Sequence, residues 1–417
     1  MSVTAHGWSA SRLLSMVVLA AGLAFCVVRL FLGYGYDIDT YLMLGSWQTM
    51  LGDGAYAASR FQGSPVAEFA LGFAATLGGS LLANALVLAC ALVALAFAAK
   101  LAVHFGVTDR WLLLAFILSN GYVLVAASTS VDYMIALAPF VAGLYFLLRQ
   151  RPLVAITLLA IAAGARLPFL LFGLSMIVLV LSSRRDADGA MPASRLVETV
   201  AAFIFISGLF YLPVWISHGL RFDWLTAATP DFQGLAGLVA RFVYKLVYLF
   251  GPLGAVLGGV ALLVEWRRRT PPADSPQRAL GLRLCLAIIA LHLVMFARIP
   301  VEVSYLVAAV PFIAMALLLL GLRRTVMVLI AAQVFANVVR IEMLDISHLH
   351  DEPCAPVIAT GAHVRPHLEA GLLVRELRDL AQQGQCHIAR MPAPFDDHRA
   401  PLPLPPVPPL PSGQVAP

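Results

Sequence analysis

The sequence predicts an all-α polytopic membrane protein with about eleven transmembrane helices and a large first extracytoplasmic loop. Hydrophobic residues make up 60% of the 417 residues, charged residues only 12%, and the mean hydropathy is +0.86. A soluble chain usually carries about 25% charged residues. Apolar runs close to the roughly 20 residues that cross a bilayer as a helix recur along the chain, and they lack the alternation of membrane-barrel strands.

Eleven apolar runs are the predicted spans, and the count could range from ten to thirteen. The fifth run is short and could be a half-helix paired with the sixth through the Ala165–Arg166 turn. Residues 65–79 are apolar but short, so we expect a helix lying along the membrane interface or dipping into it. The eleven runs cover residues 13–33, 80–104, 111–128, 131–148, 152–164, 167–183, 197–217, 242–265, 284–297, 303–321 and 325–340.

Lys and Arg residues predict the orientation, because cytoplasmic loops of membrane proteins carry an excess of them. With the N-terminus in the cytoplasm, the inner segments hold fourteen arginines, and the outer segments before the tail hold six Lys or Arg residues. The net charge of +5 reflects this bias and does not indicate a nucleic-acid partner. The first span is expected to remain as a signal anchor, because its apolar run is longer than a usual signal core.

The chain divides into three parts by composition. Residues 1–340 form the transmembrane unit, 341–399 a small extracytoplasmic tail, and 400–417 a Pro-rich terminus that is expected to be disordered. Within the tail, residues 366–383 have the apolar spacing of an amphipathic helix. Cys354 and Cys386 flank this helix in a compartment that permits a disulfide, and we predict that the two are joined.

The segment YDIDTYL, residues 36–42, follows the first span directly and contains Asp37 and Asp39. A carboxylate at a membrane face is costly unless it is solvated, paired or used. A hydrated loop start would account for one such residue, but many ionisable residues converge on the same face. Outside the tail, the outer segments contain eight acids: Asp37, Asp39, Asp53, Glu68, Asp132, Asp223, Asp231 and Glu302.

Several charged residues also lie at the outer ends of spans. Single arginines there can extend to the lipid headgroups. Eight charged residues at one membrane level, beside paired carboxylates, favour a polar cavity that opens outward. Such a cavity suits a substrate with an anionic headgroup and a lipid tail. These span-end residues are Arg29, Asp132, Arg166, Arg241, Lys245, Arg298, Glu302 and Arg340.

Such a cavity has the groups needed to transfer a sugar from a lipid-phosphate carrier. The acceptor hydroxyl needs a general base, and the leaving phosphate needs Arg, Lys or a divalent cation. Asp37 and Asp39 fit the role of base, or of ligands for a hard cation such as Mg²⁺ or Mn²⁺. The residues that fit the second role are Arg166, Arg241, Lys245 and Arg298.

With a first span followed by a large outer loop that begins with acidic residues, the chain resembles the polytopic membrane glycosyltransferases of the GT-C class, which include protein mannosyltransferases and the aminoarabinose transferase of lipid A. The resemblance covers roughly residues 10–340 and is strongest over 30–70. The family pattern Y..SR.PG.P..E is matched except at Gln62, where the family has Pro. The matching residues are Tyr56, Ser59, Arg60, Gly63, Pro65 and Glu68. A looser match before a late span involves Arg298, Glu302, Tyr305 and Pro311.

The resemblance implies an inverting, hexosyltransferase-like enzyme in the bacterial inner membrane, with residues 1–340 as its catalytic domain. It implies a polyprenyl-phosphate sugar as donor and an extracytoplasmic lipid, glycan or protein as acceptor. Asp37 or Asp39 would be the catalytic base or a metal-linked carboxylate, with Asp37 ranked first because it is nearer the span end. The implied substrate-binding residues are Tyr56, Arg60, Glu68, Arg166, Arg241, Lys245, Arg298, Glu302 and Tyr305.

Two alternatives remain open from the sequence. An O-antigen ligase or polymerase also acts on lipid-linked sugars, but such enzymes usually rely on a large loop late in the chain. A transporter of a lipid-linked or anionic substrate would normally place ionisable residues near mid-span. Here the first outer loop is the largest before the tail, and mid-span positions are almost free of charge.

The predicted topology can be tested with reporter fusions at Ala187 and Gly361. With eleven spans and a cytoplasmic N-terminus, we expect a cytoplasmic signal at Ala187 and an extracytoplasmic signal at Gly361. Alkaline phosphatase and green fluorescent protein fusions report the two sides in opposite senses. A cytoplasmic signal at Gly361 would mean that the number of spans is wrong by an odd number.

Overall fold

The structure is a computed structural model that describes residues 10–31, 33–34, 37–60, 62–188, 193–219, 234–268, 275–342 and 363–366. Helices dominate these residues. The first part of the chain forms α1 (Ala10–Arg29), α2 (Ile38–Asp53), α3 (Pro65–His104), α4 (Arg110–Ser119), α5 (Gly121–Ala126), α6 (Tyr133–Leu148), α7 (Pro152–Ala165) and α8 (Pro168–Asp188). The second part forms α9 (Ala193–Phe210), α10 (Leu212–His218), α11 (Gly234–Leu249), α12 (Gly251–Arg268), α13 (Pro276–Arg298), a 3-10 helix (Val303–Ala309), α14 (Val310–Leu319) and α15 (Arg323–Val338).

These helices follow the predicted apolar runs and confirm an all-α polytopic membrane protein. Four described helices are long and apolar enough to cross a membrane: α1 from Ser11, α3, α9 and α13. A fifth span results if α11 and α12, which meet at an angle of 81°, are taken together. Several other apolar helices have 10–17 residues, so the number eleven stays a prediction.

The predicted first outer loop contains two helical segments. It contains α2, a 16-residue helix, and the first arm of α3. Helix α3 starts with Pro65 in its first turn and is broken at Gly78 and Gly79, where Gly79 has φ 61° and ψ −152°. Only glycine adopts this backbone conformation readily, so the sequence permits a sharp break there. The arm before the break corresponds to the predicted separate helix of residues 65–79.

Helix α6 is the centre of the bundle. It is buried on nearly every side and packs against α3, α7 and α8. Its residues are apolar all round, which is the pattern of a helix that is enclosed by others. Small residues allow close approach, since Gly143 of α6 lies against Leu159 and the backbone of Ala155 in α7. The residue that precedes α6, Asp132, is therefore held at the end of the best-packed helix.

A short antiparallel pair of strands adds to the helices after α15. Strand β1 (Val339–Glu342) pairs with β2 (His363–Pro366), with Val339 opposite Pro366 and Glu342 opposite His363. Cys354, Cys386, nearly all of the predicted amphipathic helix and the Pro-rich terminus lie outside the described residues. The three-part division of the chain and the disulfide therefore stay predictions.

Candidate functional site

A chain of alternating charges lies at one end of the bundle. Asp39 Oδ2 accepts a hydrogen bond from Arg60 Nη1 at 2.8 Å. The other terminal nitrogen of Arg60 contacts Asp132 Oδ2, and Asp132 Oδ1 lies 3.1 Å from Arg166 Nη1. The Asp132 side chain is fully buried, whereas Asp39, Arg60 and Arg166 are each between 13% and 16% exposed. We call these four residues the ion chain.

Four separate segments supply the ion chain. Asp39 lies in the first turn of α2, Arg60 in the connection between α2 and α3, Asp132 directly before α6, and Arg166 between α7 and α8. Because these segments are distant in sequence, the charges meet only when the bundle is assembled. Buried charges need such pairing, since each loses its hydration.

Glu68 shapes the loop that presents Arg60. This carboxylate is fully buried in the first turn of α3. Its Oε1 accepts hydrogen bonds from Ser59 N at 2.9 Å, Ser59 Oγ at 2.5 Å and Ser64 N at 3.2 Å, while its Oε2 accepts one from the Tyr56 hydroxyl. Glu68 and Tyr56, which the resemblance assigns to substrate binding, therefore hold the loop.

The connection after α1 is held by a second set of hydrogen bonds. Asn84 Nδ2 donates to Gly33 O at 2.7 Å, and Asn84 Oδ1 accepts from Ser130 Oγ at 2.6 Å. Ser130 N in turn donates to Tyr34 O at 3.3 Å. These hydrogen bonds hold the segment that leads to Asp37 against α3 and against the turn before α6.

Asp37 differs from Asp39 in its partners. It is the N-cap of α2, and its Oδ1 accepts a hydrogen bond from Asp39 N at 2.9 Å. Burial, together with the negative charges of Glu302 and Asp39, raises the pKa of Asp37 to about 7. A carboxyl group with this pKa exchanges protons near neutral pH, which suits a general base.

The segment before the 3-10 helix brings Glu302 to the same end of the bundle. Glu302 Oε2 accepts from Ser304 Oγ at 2.8 Å, and Ser304 Oγ accepts from the Tyr133 hydroxyl at 2.9 Å. Burial raises the pKa of Glu302 from its usual value, and Lys245 opposes that rise. The guanidinium of Arg166 lies 3.9 Å from the centre of the Tyr133 ring, in a cation–π contact.

Most of the predicted site residues meet at this end of the bundle. Arg166 lies 5.8 Å from the centre of the Tyr305 ring. Lys245 and Asp39 both interact electrostatically with Glu302. Arg241 is buried, and its Nε donates to Pro300 O at 3.2 Å. Arg298 ends α13 with an exposed side chain, so whether it shares a cavity with Asp37 stays a prediction.

Asp132 is the residue whose role the sequence does not reveal. It counts among the outer acids and the span ends, but nothing local links it to Arg60, which lies 72 positions earlier. One signal is present in the sequence: a single carboxylate between the polar run Ser128–Ser130 and a wholly apolar helix. An acid in that position must be paired if it is buried.

The side chains of the site meet only part of what a divalent cation needs for binding. Among the residues that the structure describes, no three His, Cys, Asp or Glu side chains form a group that could hold a metal ion. Asp39 Oδ2 is engaged by Arg60, whereas Asp37 accepts one backbone hydrogen bond. Mg²⁺ commonly takes one or two carboxylates and completes its shell with water and substrate phosphates, so Asp37 and Asp39 fit only that kind of site.

No family model and no curated protein sequence matches this chain. The crystal structure of ArnT from Cupriavidus metallidurans bound to undecaprenyl phosphate is similar, with a TM-score of 0.52 and 17% sequence identity. That match covers 74% of this chain and 59% of ArnT. The chain has the GT-C fold. The apo-state structure of ArnT matches with a TM-score of 0.49 and 16% identity, over 76% of this chain and 60% of ArnT.

The ion chain lies at one end of a bundle of apolar helices that has the GT-C fold. This chain spans less than two thirds of the length of ArnT. At 17% identity the likeness shows the fold alone, because one fold can carry many different sites.

The ion chain predicts an unequal response to loss of two acids. Asp132→Asn leaves Arg60 and Arg166 buried without their shared counter-charge, so we expect a loss of about 3–5 kcal/mol in the free energy of unfolding. Asp109→Asn is the matched control, because the Asp109–Arg323 ion pair is partly exposed and Asn also caps helices well. Its expected loss is below about 1 kcal/mol. Unfolding in detergent measures both, and equal losses would contradict a buried, charge-dependent chain.

Proposed function

We propose that the protein is a membrane glycosyltransferase that moves a sugar from a polyprenyl-phosphate donor to an extracytoplasmic lipid, glycan or protein acceptor. One observation carries the proposal: Asp37, whose carboxyl group accepts a hydrogen bond from Asp39 N, lies beside a fixed chain of carboxylates and arginines in a bundle with the GT-C fold. The crystal structure of ArnT with bound undecaprenyl phosphate supports a lipid-phosphate partner for this fold.

In the proposed reaction Asp37 is the general base. It accepts the proton of the acceptor hydroxyl while the hydroxyl oxygen forms a bond to the anomeric carbon of the sugar. The bond from that carbon to the phosphate oxygen breaks, and the polyprenyl phosphate leaves with the electron pair. Attack on the face opposite the phosphate inverts the anomeric configuration. Asp39 is less suited to the proton transfer because Arg60 holds its carboxylate.

The leaving phosphate gains negative charge, which cations must stabilise. Arg60 and Arg166 are already bound to Asp132, so we assign them mainly to positioning. Lys245, Arg241 and Arg298 are the proposed phosphate contacts; of these, Lys245 interacts with Glu302 and Arg241 bonds to Pro300 O. Tyr305, beside Arg166, is proposed to contact the sugar or the acceptor.

A divalent cation is the alternative to direct proton transfer. Asp37 and Asp39 would hold Mg²⁺ or Mn²⁺ together with water and the donor phosphate. Bound there, the cation would neutralise charge on the phosphate. The arginines of the ion chain keep the same positioning roles in this alternative. The effect of added metal on the Asp37→Asn variant distinguishes a metal ligand from a general base.

The central prediction concerns the two first-loop aspartates. Asp37→Asn should lower sugar transfer about 100- to 10,000-fold, because Asn keeps the size of the side chain but cannot accept the proton at a useful rate. Asp39→Asn should also abolish useful transfer, because Arg60 loses one of its two carboxylates. The measurement is release of undecaprenyl phosphate from a panel of purified undecaprenyl-phosphate sugars by protein in liposomes, with envelope glycolipids and glycans as acceptors.

Asp53→Asn is the control for this pair. Asp53 is exposed at the end of α2 and lies in the same segment, so the variant should retain most activity. Each assay is repeated across Mg²⁺ and Mn²⁺ concentrations. Rescue of Asp37→Asn by excess metal would indicate a metal ligand, and absence of rescue would favour the base. Near wild-type transfer by both Asp37→Asn and Asp39→Asn would refute the proposal.

The raised pKa of Asp37 predicts the pH dependence. The base must be ionised to accept a proton, so kcat/KM should rise with pH through about 7 and then level off. Glu302→Gln removes a negative charge that raises this pKa, so the rise should move to lower pH. Lys100→Gln, on α3 far from the site, should leave the profile in place. A profile unchanged by Glu302→Gln would contradict the assignment of Asp37.

A further inference from the structure

A groove lies at the opposite end of the bundle from the ion chain. Helix α1 runs from this end towards Asp37, and α3 runs from Glu68 back to it. The groove has a volume of about 650 Å³, within the range of about 300–1,000 Å³ that is usual for ligand sites. Its lining includes Arg12 and Met16 of α1, Val103 of α3, Val107 from the connection to α4, and Arg110 and Trp111 of α4.

The groove combines two cations with apolar walls. The guanidinium of Arg110 lies 5.4 Å from the centre of the Trp111 ring, and Arg12 lines the same groove. Arginine binds phosphate oxygens through a planar set of donors, and tryptophan is favoured where headgroups meet acyl chains. The combination has the chemistry of an amphiphile with an anionic head.

The neighbouring acid does not neutralise these arginines. Asp109 directly precedes Arg110, but its Oδ2 binds Arg323 Nη2 at 2.9 Å and its Oδ1 caps α4 by accepting from Leu112 N at 3.2 Å. Arg323 also donates to Ser11 Oγ at 2.6 Å. Both oxygens of Asp109 are thus engaged within the protein, and the described residues that line the groove include two arginines and no acid.

The apolar surface continues from the groove along α1. Leu13 and Val17 are 58% and 57% exposed, and Val103 on α3 is 56% exposed. In a chain that crosses a membrane, such side chains face acyl chains. A headgroup in the groove would therefore be continuous with a surface that accepts its tails.

We infer that this groove binds the phosphate of an anionic glycerophospholipid between Arg12 and Arg110, with the acyl chains along α1. Basic pockets between transmembrane helices are known to bind anionic headgroups. In the predicted orientation the lipid belongs to the cytoplasmic leaflet. The site is separate from the proposed sugar donor site, which lies at the other end of α1.

The test titrates dioleoylphosphatidylglycerol into the full chain in detergent and measures bound lipid by native mass spectrometry. We expect the Arg12→Gln/Arg110→Gln variant to bind it about tenfold more weakly or worse, since two charge contacts are lost. Val103→Trp fills the groove but keeps every charge, and it should weaken binding as well. Dioleoylphosphatidylcholine should bind the wild-type chain much more weakly than phosphatidylglycerol.

The matched control is Arg149→Gln/Arg151→Gln, which removes two exposed arginines from the α6–α7 connection at the same end of the bundle. It should bind phosphatidylglycerol like the wild type. An equal loss in this control would show general attraction to a basic surface and overturn the proposal. So would sn-glycerol 3-phosphate binding as tightly as the lipid, or photo-crosslinks from position 107 that reach residues 1–9 of the chain instead of lipid.

Discussion

The pairing of Asp132 with two arginines is the constraint on which this end of the molecule depends. Its carboxylate is fully buried at the start of the most enclosed helix, where an unpaired charge would be strongly destabilising. Arg60 and Arg166 reach it from two separate connections. The helices must therefore pack so that α6, α7 and the loop before α3 bring these three side chains together. Any other packing would leave a charged side chain without a partner in an apolar environment.

This pairing also gives two similar residues different surroundings. Asp37 and Asp39 are two positions apart, but one caps α2 from outside and the other lies in its first turn. Arg60, already fixed by Asp132, captures Asp39, whereas Asp37 remains beside Glu302. Two identical side chains thus acquire different partners, which is how carboxylates within one site come to perform different steps of a reaction.

The fold was largely predictable because its main signal is local. Long apolar runs mark helices wherever they occur, and Pro65, Pro152 and Pro276 lie at helix starts, where proline is favoured. Helix α2 was not predicted, because at 16 residues it is too short for a span.

The site was predictable only in part. The spacing of the Asp37 pair and the pattern from Tyr56 to Glu68 point to the two segments that supply Asp39 and Arg60 to the ion chain. Glu68, however, holds the loop through four hydrogen bonds, and a sequence cannot show whether an acid faces a ligand or its own backbone. The link from Asp132 to Arg60 and Arg166 exists only in three dimensions.

The break at Gly78 and Gly79 has a mechanical consequence for access to this site. Glu68 ties Ser59 and Ser64 to the first arm of α3, so a tilt of that arm about the break would carry the loop with Arg60 along with it. The ten residues from the break to Glu68 span about 15 Å, and a swing of about 10° would displace the loop by about 2–3 Å. Such a swing would separate Arg60 from Asp132, and the attraction between these two opposite charges opposes it.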